Sequence, residues 1–327
     1  MRQPRLKLPS DTTEATYHCM SRTVNRERLL GPVSREVFRM IIGRVADYCG
    51  IIILTYVILD NHFHLLVRVP VKTPVSDEEL LRRYQVLYPK PTKYQAARLE
   101  VIRQQLAVNG PEAVAWRQRQ LALMGDLSPF MKLLKERFSI WFNRTHDRIG
   151  TLWAERFKSV LVESRTNALE TMATYIDLNP VRKGLVTDPK DYRHCGYAEA
   201  VAGKAKAQEG LQVVLGTSPW EPTQAAYRER LFGTATGPRE KGVVLDRKAL
   251  AKVIREKGRL PLATVLRCRL RYFHDGAVLG SRAFVAERLA EYHRKTGRRL
   301  AEPKALPDCT DWGDLTVMRN LRRAPYC

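Results

Sequence analysis

The chain has 327 residues, of which 44% are hydrophobic and 28% charged, so it can bury a core and wholesale disorder is excluded. Its 56 Lys and Arg against 34 Asp and Glu leave a formal charge of +22. That is the balance of a protein that meets a polyanion, most often nucleic acid; the alternative is a merely solubilising surface. The longest apolar stretch, Ile51–Leu59, is interrupted by Thr55 and Tyr56 and falls short of the ~20 residues a membrane-spanning helix needs. No apolar run follows the charged N-terminal residues, so secretion is not expected. Cys19, Cys49, Cys195, Cys268, Cys309 and Cys327 form no C-x-x-C pair, which argues against a zinc ribbon or a disulfide scaffold and for a reduced cytoplasm.

In chain order, residues 16–25 read as a strand. Ser34 is placed to cap a helix that runs to about Cys49, with Val37, Phe38, Ile41, Ile42 and Val45 at helical spacing and Gly50 to end it. Ile51–Leu59 is rich in β-branched residues and reads as a buried strand. Asp60-Asn61 signals a turn, and Phe63–Val69 continues as a second strand closed by Pro70. From about 71 to 125 the chain is rich in Arg, Gln and Leu with interspersed prolines, the character of a helical insertion. A strong helix follows from Ser128 to about His146, then a strand over 153–162 and a helix from Asn167 to about Leu178. This order predicts an α+β fold: a ferredoxin-like antiparallel sheet with helices on one face, a helical insertion, and a basic, mostly helical C-terminal extension over 201–327. All candidate catalytic residues precede residue 180, so residues 1–200 are expected to form the catalytic domain.

Within Asn61-His62-Phe63-His64-Leu65-Leu66, strand alternation turns His62 and His64 to one face and Phe63, Leu65, Val67 and Val69 to the other. Two imidazoles roughly 7 Å apart along a strand can share a divalent cation, with positions left for water, phosphate or amide oxygen, as Mg²⁺ or Mn²⁺ would require. On spacing alone, two surface-facing sheet histidines are the favoured reading. Downstream, Tyr175 and Asn179 are i and i+4 on a helix that Pro180 ends or kinks. The Asn amide oxygen is a reasonable third ligand for a hard cation, and an assisted Tyr hydroxyl is a possible nucleophile. The structural alternative is a core aromatic and a helix cap.

These motifs together, Asn61-His62-Phe63-His64-Leu65-Leu66, Gly150-Thr-Leu-Trp153-Ala-Glu-Arg156-Phe157-Lys158 and Tyr175-Ile-Asp-Leu-Asn179-Pro-Val-Arg-Lys, resemble the IS200-like single-tyrosine transposases, and most closely the branch associated with repetitive extragenic palindromes. The resemblance covers about residues 13–200. It implies a relaxase-type nuclease in which His62 and His64 bind Mg²⁺ or Mn²⁺, with Asn179 where relatives often place Gln. Tyr175 then makes a transient 5′-phosphotyrosine bond to single-stranded or hairpin DNA. A cytoplasmic, nucleoid-associated location follows. Leu59-Asp60 departs from the Met-Pro that often precedes Asn-His in the family, and the insertion and tail make this chain longer than compact members. Arg271–Val285 is similar to a tail segment of longer relatives.

Lys132, Lys135, Arg144, Arg148, Arg156 and Lys158, interleaved with Trp141, Phe142, Trp153 and Phe157, are candidates to track phosphates and stack bases; at least two of the four rings are expected to be core. Arg182 and Lys183 follow the Tyr175 helix and are candidates to contact DNA near the cleavage point. His18, His146, His194, His274 and His293 have no partner spacing and read as structural or surface residues. Arg267, Arg269, Arg271, Arg282, Arg288, Arg319, Arg322 and Arg323 make the tail basic, and Leu250, Val253 and Ile254 suggest a helix in it. Two functional classes remain: a transposase that cleaves and rejoins DNA, and a domesticated DNA- or RNA-hairpin-binding protein that does not cut. A phosphodiesterase using the histidine pair directly would need further histidines in register, which this strand does not supply.

Overall fold

The computed structural model describes residues 6–8, 11, 13–89, 92–164, 167–233, 259–267, 270, 272–297, 302–306 and 308–319. Strand β1 (Ala15–Arg22), helix α1 (Pro32–Cys49) and strands β2 (Ile52–Ile58) and β3 (His62–Val69) follow the expected order. The helix begins at Pro32, earlier than a Ser34 cap would put it; proline's fixed φ suits the first helical turn, and Ser34 is buried within the helix. Gly50 ends it in the left-handed region at φ 64°. The β2–β3 turn closes through Leu59 N–H to His62 C=O at 2.9 Å.

The insertion forms three helices: α2 (Asp77–Val86), capped by Ser76; α3 (Lys93–Val108), opened by a Thr92/Gln95 capping box; and α4 (Pro111–Leu121). Helix α5 (Leu127–Thr145) is capped by Asp126, whose carboxylate accepts from Ser128 N–H at 2.6 Å. Strand β4 is shorter than expected, Lys158–Val162; Trp153 makes only an isolated bridge to Thr23. Helix α6 (Asn167–Asp177) gives way to the short α7 (Asn179–Arg182) at Pro180, the break anticipated from proline sterics. Helices α8 (Gly196–Val201), α9 (Ala205–Leu215) and α10 (Trp220–Phe232) follow.

The first four strands lie in the order β2-β3-β1-β4, all antiparallel, which is the ferredoxin-like arrangement. Tyr17, Cys19, Phe63, Leu65 and Val67 project to one face and pack with Phe38, Ile42 and Val45 of α1 and Leu134 and Phe138 of α5. The opposite face was expected to be free of helices. Instead Leu54, Val57, Leu66, Val160 and Val162 bury against Met172 and Ile176 of α6, Leu211 of α9 and Tyr227 of α10. Gly210 permits the close approach of α9, since a Cβ there would lie 2.5 Å from Leu54 C=O.

The C-terminal extension also differs from a helical module. It contains α11 (Leu262–Leu266), α12 (Tyr272–Asp275) and α13 (Arg282–Thr296), the last capped by Ser281, together with strands β5 (Gly276–Ser281), β6 (Lys304–Ala305) and β7 (Leu315–Arg319). These strands continue the same sheet to the order β2-β3-β1-β4-β5-β7-β6, with β5 parallel to β4. Val278, Leu279 and Val317 are fully buried in these strands, whereas Phe284 and Val285 of the Arg271–Val285 segment belong to α13. Leu250, Val253, Ile254, Arg269, Arg271, Arg322 and Arg323 lie outside the described residues. No helix among the described residues is long and apolar enough to cross a membrane.

Candidate active site

Strand alternation puts His62 and His64 on the face covered by α6 and the tail. His64 is fully buried and His62 is buried with 8% of its surface exposed, with ring centroids 5.2 Å apart. On β1, Met20 pairs with His64 and Arg22 with His62, which brings His18, two residues back on the same face, diagonally beside His64. His18 Nε2 is 2.8 Å from His64 Nδ1, and His18 Nδ1 is 2.7 Å from the carbonyl oxygen of Phe273, just ahead of β5.

Burial lowers the His18 pKa to about 4, and burial with the neighbouring imidazoles holds His64 well below the ordinary range, so both rings are neutral at neutral pH. Their tautomers then follow from the acceptors. The Phe273 carbonyl can only accept, so His18 Nδ1 carries the proton and its Nε2 the lone pair. His64 must therefore donate from Nδ1, which leaves its Nε2 as a bare lone pair. That Nε2 is buried and has no hydrogen-bond partner. His62 Nδ1 lies 2.7 Å from Asn61 Oδ1, and as that oxygen accepts, Nδ1 donates and the ring is held in one orientation.

Tyr175 reaches the same cluster from α6. Its ring is fully buried, with Phe273 edge-on at 4.8 Å between centroids and the Arg182 guanidinium carbon 3.8 Å from its centre. Its hydroxyl is hydrogen-bonded to Nε2 of His274, whose ring is edge-on to His64 at 5.2 Å, and it also lies 3.5 Å from the carbonyl oxygen of Leu270. Arg182 also donates to the carbonyls of Tyr175, at 2.8 Å, and Leu266, so it fixes the end of the Tyr175 helix to the tail.

The structure thus joins His62, His64 and Tyr175 through His18 and His274. Asn179 has its amide nitrogen turned back on its own helix, donating to Tyr175 C=O at 3.3 Å and Ile176 C=O at 2.9 Å. Among the described residues, no group of three or more His, Cys, Asp or Glu side chains is arranged to hold a metal ion. The orphaned Nε2 of His64 and the oriented ring of His62 nonetheless fit two ligand positions of a divalent cation, and the hydrogen bonds from Phe273 through His18 to His64 fix the orientation of the His64 ring.

Spacing in the sequence gives His18 and His274 no functional partner, whereas the structure puts His18 against His64 and His274 against Tyr175. His18 was findable by pairing β1 against β3 in antiparallel register. Nothing in local sequence brings His274 to residue 175, because the contact spans 99 positions.

Of the candidate DNA-binding cations, Lys132, Arg144 and Arg156 are exposed. Lys135 is spent on Glu155 C=O at 2.7 Å and lies 5.4 Å from the Trp153 ring centre; burial lowers its pKa to about 8. Arg148 donates to Thr151 C=O at 2.9 Å, Lys158 sits 3.6 Å from Glu155, and Lys183 pairs with Asp60 at 3.0 Å. Phe142 and Trp153 are core, and Trp141 and Phe157 pack against that core half-buried.

Residues 11–79 match the family model described as "Transposase IS200 like". The match takes in β1 to β3 with both histidines and ends before Tyr175. A solved structure described as a REP-associated tyrosine transposase bound to a REP hairpin aligns with a TM-score of 0.39 and 16% identity, covering 62% of this chain and 86% of that one. No curated protein matches the chain.

Proposed function

We propose that this protein is a single-strand DNA endonuclease and strand transferase that acts on hairpin-bearing DNA through Tyr175. The observation that carries the reading is the convergence in one site of a tyrosine hydroxyl and two neighbouring imidazoles, His64 with an unpartnered Nε2 and His62 oriented by Asn61. Tyr175 Oη forms a bond to the scissile phosphorus, the P–O3′ bond breaks, and a free 3′-hydroxyl leaves. The product is a 5′-phosphotyrosine that retains one phosphoester bond for each one broken, so attack by a 3′-hydroxyl rejoins DNA without ATP. His62 and His64 would hold Mg²⁺ or Mn²⁺, with Asn179 a candidate third ligand if its amide turns; a bound cation would supply charge stabilisation at the phosphate oxygens. The Arg182 guanidinium over the Tyr175 ring favours negative charge on the phenol oxygen.

Lys132, Arg144 and Arg156 would track the phosphates, with Lys183 and Lys158 recruited from their surface ion pairs. Tyr175 is fully buried, with its hydroxyl inside the protein. That burial is also what favours the second reading, a hairpin-binding protein that does not cut.

The two readings part on one experiment: incubation with end-labelled single-stranded hairpin oligonucleotides in Mn²⁺, followed by denaturing electrophoresis. A covalent adduct that disappears with EDTA and in His62→Ala and His64→Ala supports the enzyme. Retarded but never covalently attached hairpins support the binder.

A further inference from the structure

We propose that His274 is the proton acceptor for Tyr175, so that the C-terminal extension supplies a catalytic residue to the site. The inference rests on the reading of Tyr175 as the nucleophile. A general base must lie within hydrogen-bond reach of the proton it takes, and His274 Nε2 is hydrogen-bonded to the Tyr175 hydroxyl. Its other nitrogen, Nδ1, lies 3.4 Å from the thioether sulfur of Met20. A thioether sulfur can only accept, so this contact suits the tautomer with the hydrogen on Nδ1 and the lone pair on Nε2 facing the phenol, which is the tautomer proton removal requires; the phenol also has Leu270 C=O at 3.5 Å.

The placement is anchored. Four residues after His274, Val278 pairs with Leu161, and Leu279 with Val162, which ties the segment to β4 of the catalytic sheet. Immediately before it, Phe273 sends its carbonyl to His18 and its ring to Tyr175. One short stretch of the tail therefore contacts both the nucleophile and the chain of imidazoles that orients His64. Among the described residues, Tyr175, His64 and His18 face His274 with ring centroids at 5.4, 5.2 and 6.2 Å, and Met20 touches its Nδ1.

In the step, the phenolic proton passes to His274 Nε2 as the Tyr175 oxygen bonds to phosphorus. The electron pair of the broken P–O3′ bond leaves on O3′, which takes a proton from water or from the imidazolium. Rejoining runs the same transfers backwards, returning the proton to Tyr175.

The test uses the full chain, a labelled hairpin oligonucleotide and Mn²⁺, and reads the single-turnover rate of covalent adduct formation, hairpin affinity and melting temperature together. In His274→Ala and His274→Gln the rate should fall by about 10²–10⁴-fold, the usual span for losing a general base, with affinity nearly unchanged. Glutamine keeps a side-chain acceptor at the phenol but cannot take its proton, so a Gln variant at the wild-type rate would overturn the proposal, and this variant decides where Ala lowers the melting temperature. A substrate with sulfur in place of the bridging O3′ has a leaving group that needs no proton. If it restores the rate of the variants, the histidine serves the leaving group and the proposal falls; a persistent defect supports it. Absence of adduct in the wild type brings down the nucleophile reading and this one with it, whereas a wild-type adduct with undiminished variants refutes His274 alone.

Discussion

His18 and His64 are joined ring to ring, Nε2 to Nδ1 at 2.8 Å, across the neighbouring strands β1 and β3. The link converts a backbone carbonyl at Phe273 into a fixed tautomer at His64, because each ring can donate only what the next accepts. His18→Phe keeps the bulk of the ring and removes the acceptor. We expect Mn²⁺ affinity, measured by electron paramagnetic resonance titration, to fall by about 10–100-fold, the span typical of second-shell loss at a metal histidine. An unchanged affinity would separate His18 from any metal role.

Tyr175→Phe removes one oxygen from a ring packed between Phe273 and Arg182. The covalent adduct should vanish. Hairpin affinity should change by only about the ~1 kcal/mol of a single hydrogen bond, or less, since the hydroxyl is inside the protein. Gel shift and denaturing electrophoresis on the same samples check both halves, and an adduct surviving in the variant would move the nucleophile elsewhere.

How much of this was readable beforehand depends on the range of the interaction. The faces of Phe63 and His64 follow from a two-residue period, and the break at Pro180 follows from the steric demand of one ring, so both are local and both were legible. The β1-α1-β2-β3 order was legible for the same reason. The strands of the tail were not: Val278 and Leu279 sit among glycines and arginines and become a strand only because β4 offers an open edge. His274 belongs to that class, since its meaning comes from a partner 99 positions away. Asn179 shows the reverse: its spacing from Tyr175 was right, while its amide serves the helix end at the carbonyls of Tyr175 and Ile176.

Asp177 is buried and accepts from Thr55 Oγ1 at 2.8 Å and Tyr227 Oη at 2.6 Å, tying α6 to β2 and α10. Burial pushes its pKa up to about 7 despite those donors. A carboxyl raised in the folded state holds its proton there at pH values where the unfolded chain has lost it. Stability from this group is therefore greatest below about pH 4, declines as pH rises towards 7, and is level above, a change of about 4 kcal/mol. Asp177→Asn should abolish that dependence. Urea unfolding of both proteins at several pH values tests it: the stability of the wild type relative to the variant should fall from acid to neutral pH, and parallel curves would refute the assignment.

Binding to hairpin DNA should be strongly salt-dependent. Each neutralised phosphate of a single strand contributes roughly −0.7 to the log–log slope, so about six contacts weaken binding by about two to three orders of magnitude over about a fourfold rise in salt. Charge reversal at the exposed Arg144 or Arg156 should make the slope shallower, whereas the same change at Lys135, already bonded to Glu155, should act chiefly through stability. Equal slopes in all three variants would remove the α5–β4 connection from the interface.

A chain ending at Ala200 keeps every residue singled out from the three motifs, and the sequence alone suggests that it would cleave. The fold argues otherwise. Truncation removes Leu211, Tyr227, Leu231, Val265, Leu270, Phe273, Leu279 and Val317, all buried on the face that carries the histidines. At about 1.5–3 kcal/mol for each large apolar side chain, the loss compares with the entire stability of an ordinary domain. It also opens the outer edge of β4, leaves the Asp177 carboxyl without Tyr227, and deletes both the Phe273 carbonyl and His274. We expect the shortened chain to lack a cooperative melting transition and to form no adduct. The comparison that isolates the site from the core is the full chain with His18→Phe and His274→Gln together: it should melt cooperatively, because the apolar cover is intact, and still form adduct far more slowly than wild type. A truncated protein that melts cooperatively and cleaves would show that the tail strands are an addition to a self-sufficient catalytic unit, and would count against any role for Phe273 and His274 in the chemistry.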